Sequence, residues 1–282
     1  MYNNTHYIQG ENLMKKVLSV LTIVMMTVML FAGCSASSEK GGATINKGKL
    51  MVALEDSYEP MEYTNDKGEL AGFDIDFANA LGKELGYEIE FVTTDWDSIF
   101  VGLDTGNYDC VISTVSITEE RKKNMEMSAP YISNGQVIVV KPGDENKYKT
   151  IEDLKGKKVG VQFETTADIA CQKVNKKVGF EITAYDGMDQ AFLAMTSGNV
   201  DVVVTDLPVA IGWTTKKPDK YSISSVSLTN EPVAVAIKKD NTELLKQVND
   251  GIKQLQENGT MKELSVKWAN KDFTTDIDPE LK

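Results

Sequence analysis

The chain has 282 residues, 41% of them hydrophobic and 26% charged, with 42 acidic against 30 basic side chains and a formal net charge of −12. This composition excludes disordered, collagen-like and disulfide-scaffold classes, and the negative balance argues against a nucleic-acid partner. The single His is His6, inside a leader that processing would remove, so His-based triads, His metal sites and His proton shuttles are excluded from the mature chain. The length allows one large domain or two smaller ones, each with its own core.

Met14-Lys-Lys opens an apolar run from Val17 to Ala32, followed by Gly33 and Cys34. A charged start, a hydrophobic stretch and a small residue before the processing point form a secretory signal. A membrane span is the alternative, but no basic stop-transfer cluster follows. Phe31-Ala32-Gly33-Cys34 resembles a bacterial lipobox, which implies that residues 1–33 are removed and that Cys34 is lipidated, with palmitate among its acyl chains. Losing Lys15, Lys16 and Glu11 leaves a net charge of −13 on the mature chain. Residues 35–44 read as a polar tether. Cys110 and Cys171 then remain, and they read as buried small hydrophobes rather than as a pair.

The apolar run over 49–54 predicts a strand, and the periodicity over 73–85, closed by Gly86, predicts a helix. A second helix with Asp97 near its start stops at Gly106-Asn107, and a strand over 110–114 follows. Another strand is predicted over 158–163 and another helix over 167–174. A helix opening near Asp189 stops at Gly198-Asn199 and leads into a strand over 202–206. Residues 232–238 form a further strand. Asp240 with Glu243, and Thr260 with Glu263, have the spacing of capping boxes. Leu244, Val248, Ile252, Leu255, Met261, Leu264 and Trp268 make an amphipathic helical stripe, which can dock on either half of the molecule.

Part of this pattern is repeated. Residues 97–109 and 189–201 align without gaps and share the Asp, Phe, Gly, Asn and Asp positions. Each block follows a strand–loop–helix unit and runs into an apolar strand suited to a buried parallel sheet. The chain therefore holds two α/β units of similar plan. Ligands in such sheets bind beyond the carboxyl ends of the strands, so two facing units would place a ligand between them.

Ser113-Thr-Val-Ser-Ile-Thr-Glu-Glu-Arg121 resembles the polar amino-acid-binding proteins of bacterial ABC transporters, solute-binding protein family 3. Gly72-Phe-Asp-Ile-Asp76, Trp96-Asp97, Ser128-Ala-Pro-Tyr131, 154–160, Thr165-Thr166 and Asp206 extend the resemblance over nearly all of 49–273. It implies a two-lobed α/β fold of the periplasmic-binding-protein-like type II, with a ligand cleft between the lobes and two crossover hinge strands. Lobe 1 would comprise residues 45–133 and 234–282, and lobe 2 residues 138–229.

The residues themselves suit that role. Thr118 is a plausible N-cap, placing Arg121 in a first helical turn, where a guanidinium near a helix start can clamp a carboxylate. The resemblance implies that Arg121 takes the ligand α-carboxylate. Thr165 and Thr166 stand between a strand and a helix, as caps or as part of an anion site; the resemblance places the same carboxylate there. Asp206, ahead of Pro208, is either a helix-start carboxylate or, as the resemblance implies, the partner of the ligand α-ammonium. Ser113, Thr114 and Ser116 would complete both shells. Tyr58 and Trp96 match positions that sandwich the ligand side chain and offer cation–π faces. Glu55 matches a position that reads the side chain, with an exposed acidic loop as the alternative. Glu164 stands where relatives often have Gly, as a rim charge or a contact selecting cationic ligands.

These expectations describe a monomeric, lipid-anchored extracytoplasmic receptor. It captures a free L-amino acid, arginine, lysine or another polar one, by hinge closure around residues 133–136 and 231–233 and delivers it to the permease and ATPase subunits of an importer. No cofactor, metal or nucleic acid is expected. Two rivals are a cyclohexadienyl dehydratase-like enzyme on the same fold, with Glu164 or Glu55 as its acid or base, and a sensing domain acting in trans.

Overall fold

The computed structural model describes residues 42–275, 277 and 278, with the backbone alone for 225–227. The leader, Cys34 and most of the tether lie outside the described residues. Residues Ala43–Lys282 form one compact unit. No described helix is long and apolar enough to cross a membrane.

Two five-stranded sheets carry the fold. The first contains β1 (Lys49–Leu54), β5 (Glu88–Thr93), β6 (Cys110–Val111), β7 (Met125–Met127) and β15 (Ala236–Lys238), in the order β5-β1-β6-β15-β7. The second contains β9 (Gln136–Val140), β10 (Lys158–Gln162), β11 (Glu181–Tyr185), β12 (Val202–Asp206) and β13 (Ser222–Ser227), in the order β11-β10-β12-β9-β13. In each, three strands pair in parallel, the fourth in the order (β15 or β9) runs antiparallel to both its neighbours, and the edge strand beyond it runs in the direction of the first three. The repeat seen in the sequence is thus a repeat of sheet plan. Between the sheets run β8 (Ile132–Asn134) and β14 (Glu231–Val233), paired antiparallel as the two crossovers. A small sheet of β2 (Ser57–Tyr58), β3 (Glu62–Thr64) and β4 (Leu70–Ala71) extends the first lobe.

The helices follow the apolar periods. They are α1 (Phe73–Leu85), α2 (Trp96–Thr105), α3 (Glu119–Asn124), α4 (Thr166–Val178), α5 (Met188–Ser197), α6 (Leu207–Lys216), α7 (Thr242–Glu257) and α8 (Thr260–Ala269). Gly86, Gly106 and Gly198 each close a helix in the left-handed conformation that glycine adopts without strain. The last Asp of each repeat block has an assignable task. Asp109 accepts from the backbone N–H of Ile45 (2.6 Å) and Met51 (2.8 Å), and Asp201 accepts from that of Lys158 (2.8 Å). Each carboxylate ties the start of its third parallel strand to the backbone of the central one.

Several expected boundaries move. The strand expected over 110–114 ends at Val111, because Thr114 takes a positive φ of 47° and gives its N–H to Asp74 (2.7 Å). The strand expected over 232–238 splits: its first part pairs with β8 and its last enters the first sheet. Neither capping box forms. Asp240 has φ 66°, and Asn241 caps α7 instead, accepting from Leu244 N–H (3.2 Å). At α8 the N–H of Glu263 bonds the Gly259 carbonyl (3.1 Å) rather than Thr260. The helical tail docks on the first lobe: Tyr87 Oη bonds Gln247 (2.8 Å) and Trp268 Nε1 bonds Asp76 (2.7 Å). Cys110 and Cys171 are free and buried, in different sheets' layers, and burial pushes the Cys171 thiol up to about 12.

The lobes touch where α6 meets the loop after β2. A Cβ on Gly212 would lie 2.5 Å from Pro60 Cδ. Replacing Gly by Ala inside a helix favours the helix by about 1 kcal/mol, yet here it drives a methyl into a rigid ring of the facing lobe. Gly212→Ala is therefore expected to keep or raise the thermal midpoint while holding the lobes apart, read as a larger radius of gyration in small-angle scattering. An unchanged radius would show that this contact does not limit closure.

Candidate functional site

The carboxyl ends of the parallel strands converge. β1 leads into Glu55 and Tyr58, β6 into Ser113, Thr114 and Ser116, β10 ends at Gln162 before Thr165 and Thr166, and β12 ends at Asp206. With Glu62, Trp96 and Arg121 these residues line one cavity. These side chains leave little space between them, about 20 Å³ for the centre of a water-sized molecule. Ten of the eleven candidate residues meet there. The exception is Glu164, whose exposed side chain lines a neighbouring groove instead. Its backbone is left-handed (φ 57°), a conformation glycine adopts freely and most other residues avoid, which gives a physical reason for Gly at this place. Its carbonyl accepts from Trp96 Nε1 (3.4 Å).

Arg121 sits as expected in the first turn of α3, with Thr118 as N-cap accepting from its N–H (3.1 Å). Its Nη1 donates to the Ser116 carbonyl (2.8 Å), and its guanidinium stacks 5.4 Å from the Trp96 ring and 4.9 Å from the Phe100 ring. The cation that faces Trp96 is thus the protein's own. Burial lowers the guanidinium to about 10, opposed by the nearby charges of Glu231 and Asp206, so it stays charged at neutral pH.

Asp206 does not cap α6 with its side chain. One carboxylate oxygen accepts from Tyr58 Oη (2.6 Å) of the first lobe, and the other from Asn134 Nδ2 (2.5 Å) and Gln136 Nε2. Burial, with Glu231 close by, raises the carboxyl to about 6 against those three donors. Thr165 alone caps α4, accepting from Asp168 N–H (3.3 Å). The Thr166 hydroxyl is turned away from capping and donates to Glu231 (2.7 Å). Glu55 is buried and accepts from Ser57 (2.6 Å) and from Gln162 Nε2 (2.7 Å) of the facing lobe. Burial raises its carboxyl, and those two hydrogen bonds oppose the rise.

Sequence reasoning missed the carboxyls that support this shell. Ser113 Oγ donates to Glu62 (2.7 Å) and accepts from the Glu55 N–H (3.1 Å), while Thr114 Oγ1 reaches both Glu62 (3.2 Å) and Asp74 (3.1 Å). Tyr131 Oη donates to Asp74 (2.9 Å). Glu62 and Asp74 face each other, burial raises both, and Asp74 stands at about 6. These contacts fix Thr114 in a backbone conformation that a β-branched residue otherwise avoids. Gly72-Phe-Asp-Ile-Asp76 and Ser128-Ala-Pro-Tyr131 carried the signal, since both segments supply this network. Gln162 was also missed, and Gln136 and Glu231 were expected only as hinge residues; their positions in apolar strands gave no sign of a polar task.

The model of the bacterial extracellular solute-binding proteins, family 3, matches residues 50–271. The chain belongs to that family. It is similar to the L-cystine-binding protein TcyJ of Escherichia coli (strain K12), 36% identical over 255 residues that cover 89% of this chain and 95% of the relative. It is also similar to the ABC transporter arginine-binding protein 1 of the same strain, 30% identical over 86% of this chain and 99% of that one. Among solved structures, an ancestral arginine-binding protein bound to arginine superposes with a TM-score of 0.75 and 40% identity, over 79% of this chain and 98% of that one. The fold is the type II periplasmic-binding-protein-like fold of these neighbours, and the relatives named are binding proteins, not enzymes.

In this family member the raised carboxyls have a consequence for stability. Asp206 and Asp74 rise from 3.8 to about 6 on folding, so the folded chain holds protons that the unfolded chain has released. Their favourable contribution is complete below about pH 4 and is lost as pH rises through about 6. For Asp206 the loss reaches at most about 2–3 kcal/mol. The thermal midpoint of ligand-free protein is expected to fall between pH 5 and pH 7.5, and Asp206→Asn is expected to flatten that fall. An equal fall in both proteins would remove Asp206 from the account.

Proposed function

We propose that this chain is the binding protein of an amino-acid ABC importer, that it captures one free L-α-amino acid by hinge closure, and that it favours a cationic side chain. The observation that carries this reading is the presence of Arg121 and Asp206, from opposite lobes, on one cavity. A zwitterion offers a carboxylate to Arg121 and an ammonium to Asp206 at once, and so bridges the cleft. Only such differential affinity for the closed arrangement can shift the equilibrium towards it. Thr165, Thr166 and Ser116 would complete the carboxylate shell, and Ser113 and Thr114 the ammonium side. Residues 45–133 with 234–282 would move as one lobe and 138–229 as the other, about crossovers β8 and β14.

The preference for a cation follows from charge. Glu55, Glu62 and Asp206 line the cavity against one guanidinium, and Tyr58 and Trp96 supply its walls. Glu55 and Trp96 also border a groove lined by Asp56, Asp95, Asp97, Asp186 and Asp189. Clefts lined by one sign of charge focus the field and attract ligands of the other. The names of the relatives point to cystine and arginine, both compatible with the α-group site; the carboxylates favour arginine or lysine. Removal of residues 1–33 and lipidation of Cys34, with palmitate, would anchor a monomer outside the cytoplasmic membrane beside its permease and ATPase partners.

Titration calorimetry on residues 35–282, unfolded and refolded to strip carried-over ligand, is expected to show one-to-one binding of arginine or lysine tighter than of neutral amino acids, with acidic ones weakest. Silence of folded protein across the common L-amino acids would overturn the reading. Arg121→Ala is expected to weaken every ligand by a hundredfold or more, about 3 kcal/mol, with little change in thermal midpoint; near-normal affinity would sink its assigned role. Glu55→Gln is expected to weaken cationic ligands about tenfold more than neutral ones, and equal losses across the panel would count against a side-chain contact.

A further inference from the structure

The crossover strand β14 carries a carboxylate into the floor of the cleft. Its neighbours on the first lobe fix its place: Ser116 bridges Val233, Ile117 N–H bonds the Pro232 carbonyl (2.8 Å), and Ala234 N–H bonds the Val115 carbonyl (3.0 Å). Glu231, 1% exposed, therefore lies directly behind Ser116. One of its oxygens accepts from Ser116 Oγ (2.6 Å) of the first lobe, from Thr166 Oγ1 (2.7 Å) of the second, and from Gln136 Nε2 (3.4 Å). The other accepts from Thr229 Oγ1 (2.7 Å). Its charge also acts on Arg121 and on Asp206.

Ser116, Thr166 and Arg121 are the groups that "Proposed function" assigns to the ligand α-carboxylate. We propose that Glu231 is an internal competitor for this donor set, a hinge-borne carboxylate that takes the same hydroxyls and the same guanidinium field and so limits how tightly any amino acid is held. The inference rests on the amino-acid reading of the cavity. Its logic is electrostatic. A second carboxylate brought against Arg121 is attracted by the guanidinium and repelled by Glu231, and buried charges of like sign oppose one another strongly. Each hydroxyl has one proton, so a hydroxyl that donates to Glu231 cannot also donate to the ligand. Because Glu231 opposes the α-carboxylate, which every ligand shares, its effect is independent of side chain. A carrier that must release its cargo gains from such a restraint, since affinity is tuned chiefly through the rate of release.

Glu231→Gln keeps the length and an acceptor oxygen and removes the charge. Calorimetry on refolded wild type and variant, with arginine, lysine, glutamine and cystine, is expected to show about tenfold tighter binding for every amino acid that the wild type binds, with slower release in stopped-flow fluorescence of the cleft tryptophan. A merely structural acceptor would leave affinity unchanged or lower it. Unchanged or weaker binding in a variant with wild-type unfolding overturns the inference, and so does tightening confined to one side-chain class. Should that variant not fold, Glu231→Asp, which withdraws the charge by one methylene from Ser116 and Thr166, is expected to tighten binding about threefold, and weaker binding overturns the inference. A wild type silent across the panel removes the amino-acid reading and this inference with it; a wild type that binds beside a variant that does not tighten removes the inference alone.

Discussion

A carboxylate taken out of water must be given donors or it will not stay ionised, and the cleft of this protein is organised around that constraint. Asp206 is held by Tyr58 from one lobe and by Asn134 and Gln136 from the crossover segment. Glu55 is held across the cleft by Gln162, and Glu231 by Ser116 and Thr166 together. Each buried acid is thus satisfied by groups from more than one part of the chain. The arrangement of the lobes in this structure satisfies them all. Exposed contacts between lobes, such as Lys216 with Glu59 at 2.8 Å, add little by comparison, because ion pairs in water are worth at most about 1 kcal/mol.

The two lobes reach this arrangement from one plan. In each, a helix closed by glycine returns the chain to the third parallel strand, and an Asp at that strand's entrance ties it to the central one. The strand ends are thereby set at matching depths in both lobes. Side chains that leave those ends, Glu55 and Ser113 on one side and Thr165 and Asp206 on the other, then face each other without further instruction. Function sits at the strand ends because the helices cover the sheet faces, and the ends are where backbone N–H groups and short polar side chains remain open.

The layout of this fold was largely legible because its signals are local. The glycine closures, the apolar strands at 49–54 and 202–206, and the Thr118 cap each depend on neighbours within a few residues, and each stands where the sequence placed it. Departures arise where a distant partner decides the backbone. Thr114 leaves its strand because Asp74, forty residues away, holds its N–H. The residue types of the cavity could be read off the loops after strands, and the resemblance told which ones to expect together. The supporting polar groups could not. Glu62, Gln136 and Glu231 look like ordinary strand or loop residues, and their tasks come from hydroxyls and amides 51 to 115 positions away. Glu164 shows the reverse limit: its charge drew attention in the sequence, while its left-handed backbone and exposed side chain set it apart from the cavity.

The division of labour in the cleft follows from these supports. Arg121, Asp206 and Thr166 are tied to one another through Glu231 and Gln136 at the crossovers, so the end of the cavity proposed to meet the α-groups is linked to the crossover strands. Glu55 is tied to Gln162 and Ser57, away from the crossovers and beside an acidic groove. On the proposed reading, changes at the Glu55 end would alter which side chain is accepted without touching the groups at the crossovers. That separation makes physical sense of a family whose named members bind different amino acids on one fold. The α-carboxylate and α-ammonium are common to all amino acids, so on the proposed reading the groups that would take them stand beside the crossovers, about which the lobes would move.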